Sequence, residues 1–394
     1  MIEAAQFVAA ARERGFSWYA GVPCSFLTPF INQVIGDSAL TYIASANEGD
    51  ALAAASGAAL GGRRTAAMMQ NSGLGNAVSP ITSLNYVFRI PVLLIVTLRG
   101  APGFADEPQH ELMGRITLEM LDAMRLPWEY FPDQPDRVGP TLDRADAYMT
   151  REQRPYALVM RKGTVAPCAV QAITERAAEP EHRTTESQSF ASRDGDRVSR
   201  SEALQRILGL TSLHSTVVIA TTGYTGRELY TLADRPNQLY VVGSMGCASS
   251  LALGLSLARP ELRVVVVDGD GAALMRMGNF ATLGAYGGSN LVHILLDNGV
   301  HESTGGQFTV SGGMSFAGVA QACGYAQVME GDAPGLLDAL LGDYGGVGPR
   351  FGCLKIRPGA PEKLPRPAVS PVQVRDRFMS HIGSVAGPAR AASG

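Results

Sequence analysis

Two apolar runs constrain this chain more than any other feature. Val264-Val265-Val266-Val267 leads into Asp268-Gly269-Asp270-Gly271, and Leu291-Val292-His293-Ile294-Leu295-Leu296 leads into Asp297-Asn298. Short runs rich in Val, Ile and Leu, bounded by turn residues, read as buried parallel strands. The stretch Ala272 to Tyr286 between them is long enough for one crossover helix. The expected unit is strand–helix–strand, with Asp270 and Asn298 at the carboxyl ends of its strands, where open α/β sheets bind ligands. A carboxylate and an amide are hard oxygen donors, suited to Mg²⁺ completed by ligand phosphates. Gly269 and Gly271 let the backbone approach a phosphate, and the helix start that follows favours negative charge. Taken alone, Asp-Gly-Asp-Gly serves equally well as a plain strand-to-helix turn.

Length and composition bound the rest. The 394 residues suffice for two or three domains, and 46% hydrophobic against 18% charged argues for large cores rather than disorder. A net charge of −3 gives no electrostatic case for nucleic acid or an anionic membrane. Five scattered cysteines (Cys24, Cys168, Cys247, Cys323, Cys353) contain no C-x-x-C pair, pointing to reduced thiols, a cytoplasmic setting and no zinc site. Met1 to Gly15 reads as an amphipathic helix without a secretory core, and no apolar run reaches the roughly 18 residues of a membrane span.

The expected fold class is α/β: two doubly wound parallel-sheet domains without a middle domain. The first is expected over residues 1–165, with strands at Thr41–Ser45, Thr65–Met69, Pro91–Leu98 and Tyr156–Arg161, and helices at Ile2–Arg14, Glu48–Leu60 and around Leu112–Met124. A polar linker is expected over 166–198. The second domain is expected over 199–360, with strands at Val217–Ala220, Leu239–Val242, Arg263–Val267, Leu291–Leu296 and Gly352–Ile356. The C-terminal extension, 361–394, contains a possible short helix at Pro371–Ile382 and a mobile Gly/Ala/Ser tail. The chain carries neither a Gly-x-Gly-x-x-Gly nor a Walker loop, which weakens nicotinamide, flavin and ATP readings.

Gly-Asp-Gly followed 28 positions later by Asn298 after an apolar strand resembles the signature of thiamine-diphosphate (ThDP) enzymes. The resemblance implies that Asp270, Asn298 and the Val300 carbonyl bind Mg²⁺, and that Gly269, Gly271 and Ala272 lie against the cofactor diphosphate. The family often has Ser where this chain has Ala272, so one hydroxyl of the pattern is unmatched. Glu48, at a strand end before a helix of small residues, resembles the family's catalytic Glu, which hydrogen-bonds the aminopyrimidine ring. On the residues alone it is also a first-turn helix acid. Met245 in Val242-Gly243-Ser244-Met245-Gly246 matches the large apolar residue that props the cofactor's bent shape, with the Gly243 carbonyl accepting from its 4′-amino group. Thr222, Gly223 and Thr225 follow another strand, placed to reach the diphosphate or simply to cap the next helix. Family active sites are shared between chains, which implies a homodimer at least.

The missing middle domain is similar to the compact decarboxylases of phosphonopyruvate and sulfopyruvate, a likeness running over nearly all of Met1 to Arg357. Its most specific segments are Gly21–Ser25, Gln70–Asn76, Asp106–His110 with Met113-Gly114, and Asp297–Gln307. Fusion of both domains, and the last segment, favour phosphonopyruvate, giving phosphonoacetaldehyde and CO₂ in phosphonate or antibiotic biosynthesis. Sulfopyruvate, another 2-keto acid, and carboligation remain the alternatives. A dianionic phosphonate needs donors and a cation. Ser25, Asn71, Arg99, Thr304 and Gln307 are the candidates, Arg99 being the favoured cation. His110 and His301 are candidate proton donors after CO₂ leaves, since histidine titrates near neutrality.

Overall fold

The computed structural model describes residues 1–168, 185–192 and 197–384. They form two compact units, one from 1–168 and one from 185–384.

The first unit is a six-stranded sheet of β1 (Phe16–Gly21), β2 (Thr41–Ala44), β3 (Arg64–Gln70), β4 (Leu93–Thr97), β5 (Trp128–Tyr130) and β6 (Tyr156–Met160), in the order β2-β1-β3-β4-β6-β5. Every pairing is parallel. Leu93–Thr97 is buried at all five positions because helices cover both faces, which is why the strand reads as an unbroken apolar run. On one face Phe7, Phe30 and Phe131 meet, with Phe7 and Phe131 stacked at 4.4 Å and Phe30 edge-on to Phe7 at 5.3 Å. Burial of each such ring contributes roughly 1.5–3 kcal/mol. The helix Glu48–Leu60 is buried at every residue, so its alanines and glycines are there to fit between neighbours rather than to present an amphipathic face.

The second unit holds a seven-stranded sheet of β7 (Glu186–Phe190), β8 (Thr216–Ala220), β9 (Gln238–Tyr240), β10 (Arg263–Gly269), β11 (Leu291–Asp297), β14 (Gln327–Gly331) and β15 (Arg350–Lys355). Its order is β7-β14-β15-β11-β10-β8-β9, and again all pairings are parallel. A two-stranded antiparallel hairpin, β12 (Val300–His301) with β13 (Gln307–Phe308), follows β11.

The expected two-sheet α/β architecture is present, with local corrections. Glu186–Phe190, expected to be linker, is an edge strand on β14; its side chains are mostly exposed, so it carries no apolar signature. Residues 169–184 and 193–196 of that linker lie outside the described residues. The single helix expected over 272–286 is two, Asp270–Met275 and Asn279–Tyr286, parted by a turn at 276–278, and Asn279 Nδ2 fixes the second by donating to Ser249 Oγ at 2.9 Å. The expected C-terminal helix is present as Pro371–His381, which buries Val374 and Phe378 and forks Arg377 onto Asp234 with both bonds at 2.7 Å. The Gly/Ala/Ser tail, 385–394, lies outside the described residues. Strands β1, β5 and β14 were not among those expected; β5 has only three residues, and β1 mixes aromatics with Ser and Gly. Among the described residues no helix is long and apolar enough to cross a membrane.

Candidate active site

In the first unit, Glu48 opens its helix at the carboxyl end of β2, where Asn47 caps by accepting the Asp50 N–H at 3.1 Å. Glu48 is 9% exposed, and Asn76 Nδ2 donates to its Oε2 at 2.8 Å. Gly73 makes room for it, since a Cβ there would lie 2.1 Å from Glu48 Oε1. A buried carboxylate is thus held by one amide against a bare backbone.

The other candidates of this unit are bonded differently from expectation. Arg99 is not a free cation. Its Nε donates to Asp106 Oδ2 at 2.9 Å, its Nη2 bonds Asp106 Oδ1, and only Nη1 reaches outward, to Ser25 Oγ at 3.3 Å. The Arg99 side-chain hydrogen bond, with main-chain donation from Glu107 and Gly100, holds the Asp106 carboxyl far below the usual carboxylate range. Asn71 is fully buried with both amide donations engaged, to Arg99 O at 2.9 Å and Thr117 Oγ1 at 3.0 Å; only its Oδ1 lacks a partner among the described residues. Asn71 therefore ties the Arg99 loop in place and offers an acceptor rather than the expected donor. His110 is 5% exposed, with Nε2 3.7 Å from Glu107 and a buried Nδ1 that has no partner among the described residues. Cys24 Sγ donates to Gln70 Oε1 at 3.2 Å, closing the loop that presents Ser25.

In the second unit, β10 and β11 are adjacent and Gly269 pairs with Leu296, so Asp270 and Asn298 leave neighbouring strands at one edge. Thr309, returned by the β12–β13 hairpin, joins the two: its N–H donates to Gly299 O at 2.9 Å and its Oγ1 to Asp270 Oδ2 at 2.5 Å. Asp270 is 4% exposed, and burial raises its carboxyl pKa, opposed by the Thr309 hydrogen bond and reinforced by Asp297. Asn298 Oδ1 accepts from Val300 N–H at 3.2 Å, while its buried Nδ2 has no partner among the described residues. Gly299, at φ 72°, turns the chain between Asn298 and Val300. Among the described residues no group of three or more His, Cys, Asp or Glu side chains is placed to hold an ion by itself. One carboxylate, one amide and a main-chain carbonyl fit a hard ion that takes its remaining shell from water and phosphate.

The strand-end loops of β8 and β9 converge here. Gly243 N–H donates to Thr222 Oγ1 at 3.2 Å, while Thr221 Oγ1 is buried without a partner among the described residues. Gly223 (φ 92°) starts the helix Tyr224–Leu232, on which Thr225 is buried. Gly243 and Gly246, at φ 66° and 86°, turn the chain so that Met245 faces Gly271. A Cβ at Gly271 would lie 2.3 Å from His301 Cε1 and 3.2 Å from Met245 Cε, so Met245, Gly271 and His301 meet at one point, and the bare backbone of Gly271 is what lets them. Ala272 is buried beside it. Thr304 and Gln307 are exposed and bonded to each other at 3.2 Å across the hairpin. The structure thus brings Asp270, Asn298, Met245, Gly271 and His301 to one edge, where Asp297 also ends its strand, and adds Thr309 and Ser311, which carry no periodic signal in the sequence.

Known proteins resemble this chain in both units. Residues 2–122 match the thiamine pyrophosphate enzyme N-terminal TPP binding domain, and 221–340 match the C-terminal TPP binding domain. The chain is 44% identical to the phosphonopyruvate decarboxylase of Streptomyces viridochromogenes over 97% of its own length and 95% of that protein's. It is likewise 44% identical to that of Streptomyces hygroscopicus, over 96% of this chain and 93% of the relative. A putative thiamin diphosphate-dependent enzyme from Mycobacterium smegmatis superposes with a TM-score of 0.68 at 14% identity, covering 91% of this chain and all of the other, a likeness of fold. The chain belongs to the thiamine diphosphate-dependent enzymes, carrying both cofactor-binding domains in one polypeptide and using thiamine diphosphate with Mg²⁺.

Proposed function

We propose that this protein is a carboxy-lyase that converts 3-phosphonopyruvate into phosphonoacetaldehyde and CO₂. The observation that carries the reading is the near-full-length 44% identity to two phosphonopyruvate decarboxylases. When bound, thiamine diphosphate supplies the electron sink that allows CO₂ to leave a 2-keto acid.

The chain's own residues have the following roles in this reading. Asp270, Asn298 and the Val300 carbonyl hold Mg²⁺, and Thr222, Gly223, Thr225, Gly269, Gly271 and Ala272 receive the diphosphate. Met245 and the Gly243 carbonyl fix the cofactor's shape. Glu48, buried and steadied by Asn76, holds and releases a proton at the aminopyrimidine edge. Ser25 with the outward Nη1 of Arg99, Asn71 Oδ1, Thr304 and Gln307 orient the substrate, and His110 and His301 return a proton to the product carbon. Because Asp106 already neutralises Arg99, hydroxyl and N–H donation carries more of the phosphonate recognition than net charge does. Glu48 of one chain serves the metal-bearing unit of a second, making a homodimer the smallest active species. A cytoplasmic setting is supported by five scattered cysteines without a C-x-x-C pair. Loss of CO₂ makes the step effectively irreversible, which suits a place in phosphonate, and by extension antibiotic, biosynthesis.

A coupled assay for aldehyde release, run with phosphonopyruvate, sulfopyruvate and pyruvate with and without Mg²⁺, tests the proposal. Phosphonopyruvate should be turned over with the highest kcat/KM, and only with Mg²⁺. A higher kcat/KM for sulfopyruvate, or a lengthened carbon skeleton in place of free aldehyde, would overturn it. Asp270→Ala should abolish Mg²⁺-dependent ThDP binding in calorimetry while the protein remains folded.

A further inference from the structure

The edge of the second sheet opposite Asp270 holds a cluster that the proposed reaction does not use. Strands β8, β10, β11 and β15 begin there at Thr216, Arg263, Leu291 and Arg350. A cleft of about 350 Å³ opens between these strand ends, lined among others by Ser212, Ser215, Arg263, Ser289, Asn290 and Arg350. Seven residues of β10 separate it from Asp270, roughly 20 Å at about 3.3 Å per residue.

Arg263 and Arg350 both line this cleft, and among the described residues neither guanidinium has a carboxylate counter-ion. Arg350 is 1% exposed. Its Nη1 donates to Leu340 O at 2.6 Å and Gly342 O at 3.2 Å, and Tyr344 lies over it at 4.7 Å. Its Nε is buried with no partner among the described residues. Arg263 Nη1 donates to Leu341 O at 2.8 Å. Among the described residues no carboxylate forms an ion pair with either guanidinium; the one acid on the lining, Glu261, is exposed and paired with Arg259 at 2.5 Å. Burial, with the Arg263 charge adding to it, pushes the Arg350 pKa down to about 10.

Capping the helix Gly335–Leu341 accounts for part of this. The three carbonyls at a helix C-terminus bring roughly half a negative charge. Two full positive charges therefore leave an excess of more than one, in a place where an uncompensated buried charge is costly. Serine hydroxyls around two arginine forks form the donor set that recognises a tetrahedral oxyanion.

We propose that this cleft is a second anion site, which takes a phosphate-sized tetrahedral oxyanion, free or carrying a small organic group, between Arg263 and Arg350. The test is calorimetric titration of inorganic phosphate into the holoenzyme, with ThDP and Mg²⁺ saturating so that the diphosphate site is filled, at constant ionic strength. One saturable site per chain is expected. Arg263→Gln should weaken it at least about tenfold, the scale of a lost charged hydrogen bond. Arg263→Lys keeps the charge for folding and should give an intermediate affinity. Methylphosphonate in a parallel titration separates the two sources: tighter binding than phosphate assigns the site to phosphonates, weaker binding to free phosphate. Absence of saturable binding to the wild type, or equal binding by wild type and either Arg263 variant, overturns the proposal.

Discussion

The Thr309 hydroxyl donates a 2.5 Å hydrogen bond to Oδ2 of Asp270 and lies 2.9 Å from Ser311 Oγ. Ser311 in turn donates to Asp297 Oδ1 at 3.0 Å, and Asp297 pairs with Lys355. Asp270, the proposed metal ligand, is therefore oriented by a buried polar chain ending in a lysine. Groups that orient a metal ligand typically change metal affinity by 10–100-fold when removed. Thr309→Val, nearly isosteric, should weaken Mg²⁺ binding by about that factor, with Thr309→Ser close to wild type. Calorimetric Mg²⁺ titration in the presence of ThDP checks this. Loss in Thr309→Ser without loss in Thr309→Val would place the effect on the threonine methyl instead of its hydroxyl.

Glu48 depends on a missing side chain elsewhere. A methyl at Gly73 would lie 2.1 Å from Glu48 Oε1 and 2.4 Å from its Cγ, so Gly73→Ala must displace the carboxylate. Glu48→Gln should lower kcat by roughly 10²–10⁴, the range of a lost general acid–base group. Gly73→Ala should fall in the same direction while leaving the Mg²⁺-dependent affinity for ThDP within a few-fold, because the diphosphate is held by other residues in the proposed site. A steady-state kcat measurement beside a ThDP titration separates the two effects. Unchanged kcat in Glu48→Gln would remove the acid from the mechanism.

These dependencies mark what could be read from the chain. Asp270 and Asn298 were legible because each ends an apolar strand buried on both faces, and Glu48 because it opens a helix at a strand end. Thr309 was not: it lies eleven positions beyond Asn298, and only the β12–β13 hairpin brings it back to Asp270. Arg99 was legible as a strand-end cation, yet its neutralisation by Asp106 depends on how the intervening loop folds, which no periodicity records. Glu186–Phe190 pairs on one side only and keeps its side chains in water, so its backbone is strand while its sequence looks like a linker.

The Arg99–Asp106 pair predicts a definite pH response. Asp106 has a depressed folded-state pKa, so its stabilisation is complete above the unfolded carboxyl value of about 3.9 and is lost as pH falls toward the folded value. The stability difference between wild type and Asp106→Asn should stay constant from about pH 8 to pH 5 and shrink below about pH 4. Urea unfolding of both proteins across that range measures it. A difference that already shrinks between pH 7 and pH 5 would contradict the assigned carboxylate pairing.

Arg200 offers the sharpest stability test. Its Nη1 donates to Glu228 Oε1 at 2.7 Å, and its Nη2 bonds Glu302. Ser201 Oγ also donates to Glu228, at 2.7 Å. Glu228 is 1% exposed, and Glu302 directly follows His301 in the loop beyond Asn298, so one arginine joins the helix Tyr224–Leu232 to the loop beside Gly271. Removing one partner of a buried ion pair leaves a charge in low dielectric, at a cost of about 3–5 kcal/mol. Arg200→Met should show a loss of that order in urea unfolding, and the triple variant Arg200→Met, Glu228→Gln, Glu302→Gln should regain part of it because no net charge is left buried. If the triple variant is as unstable as the single one, the loss comes from packing of the arginine stem rather than from its charge.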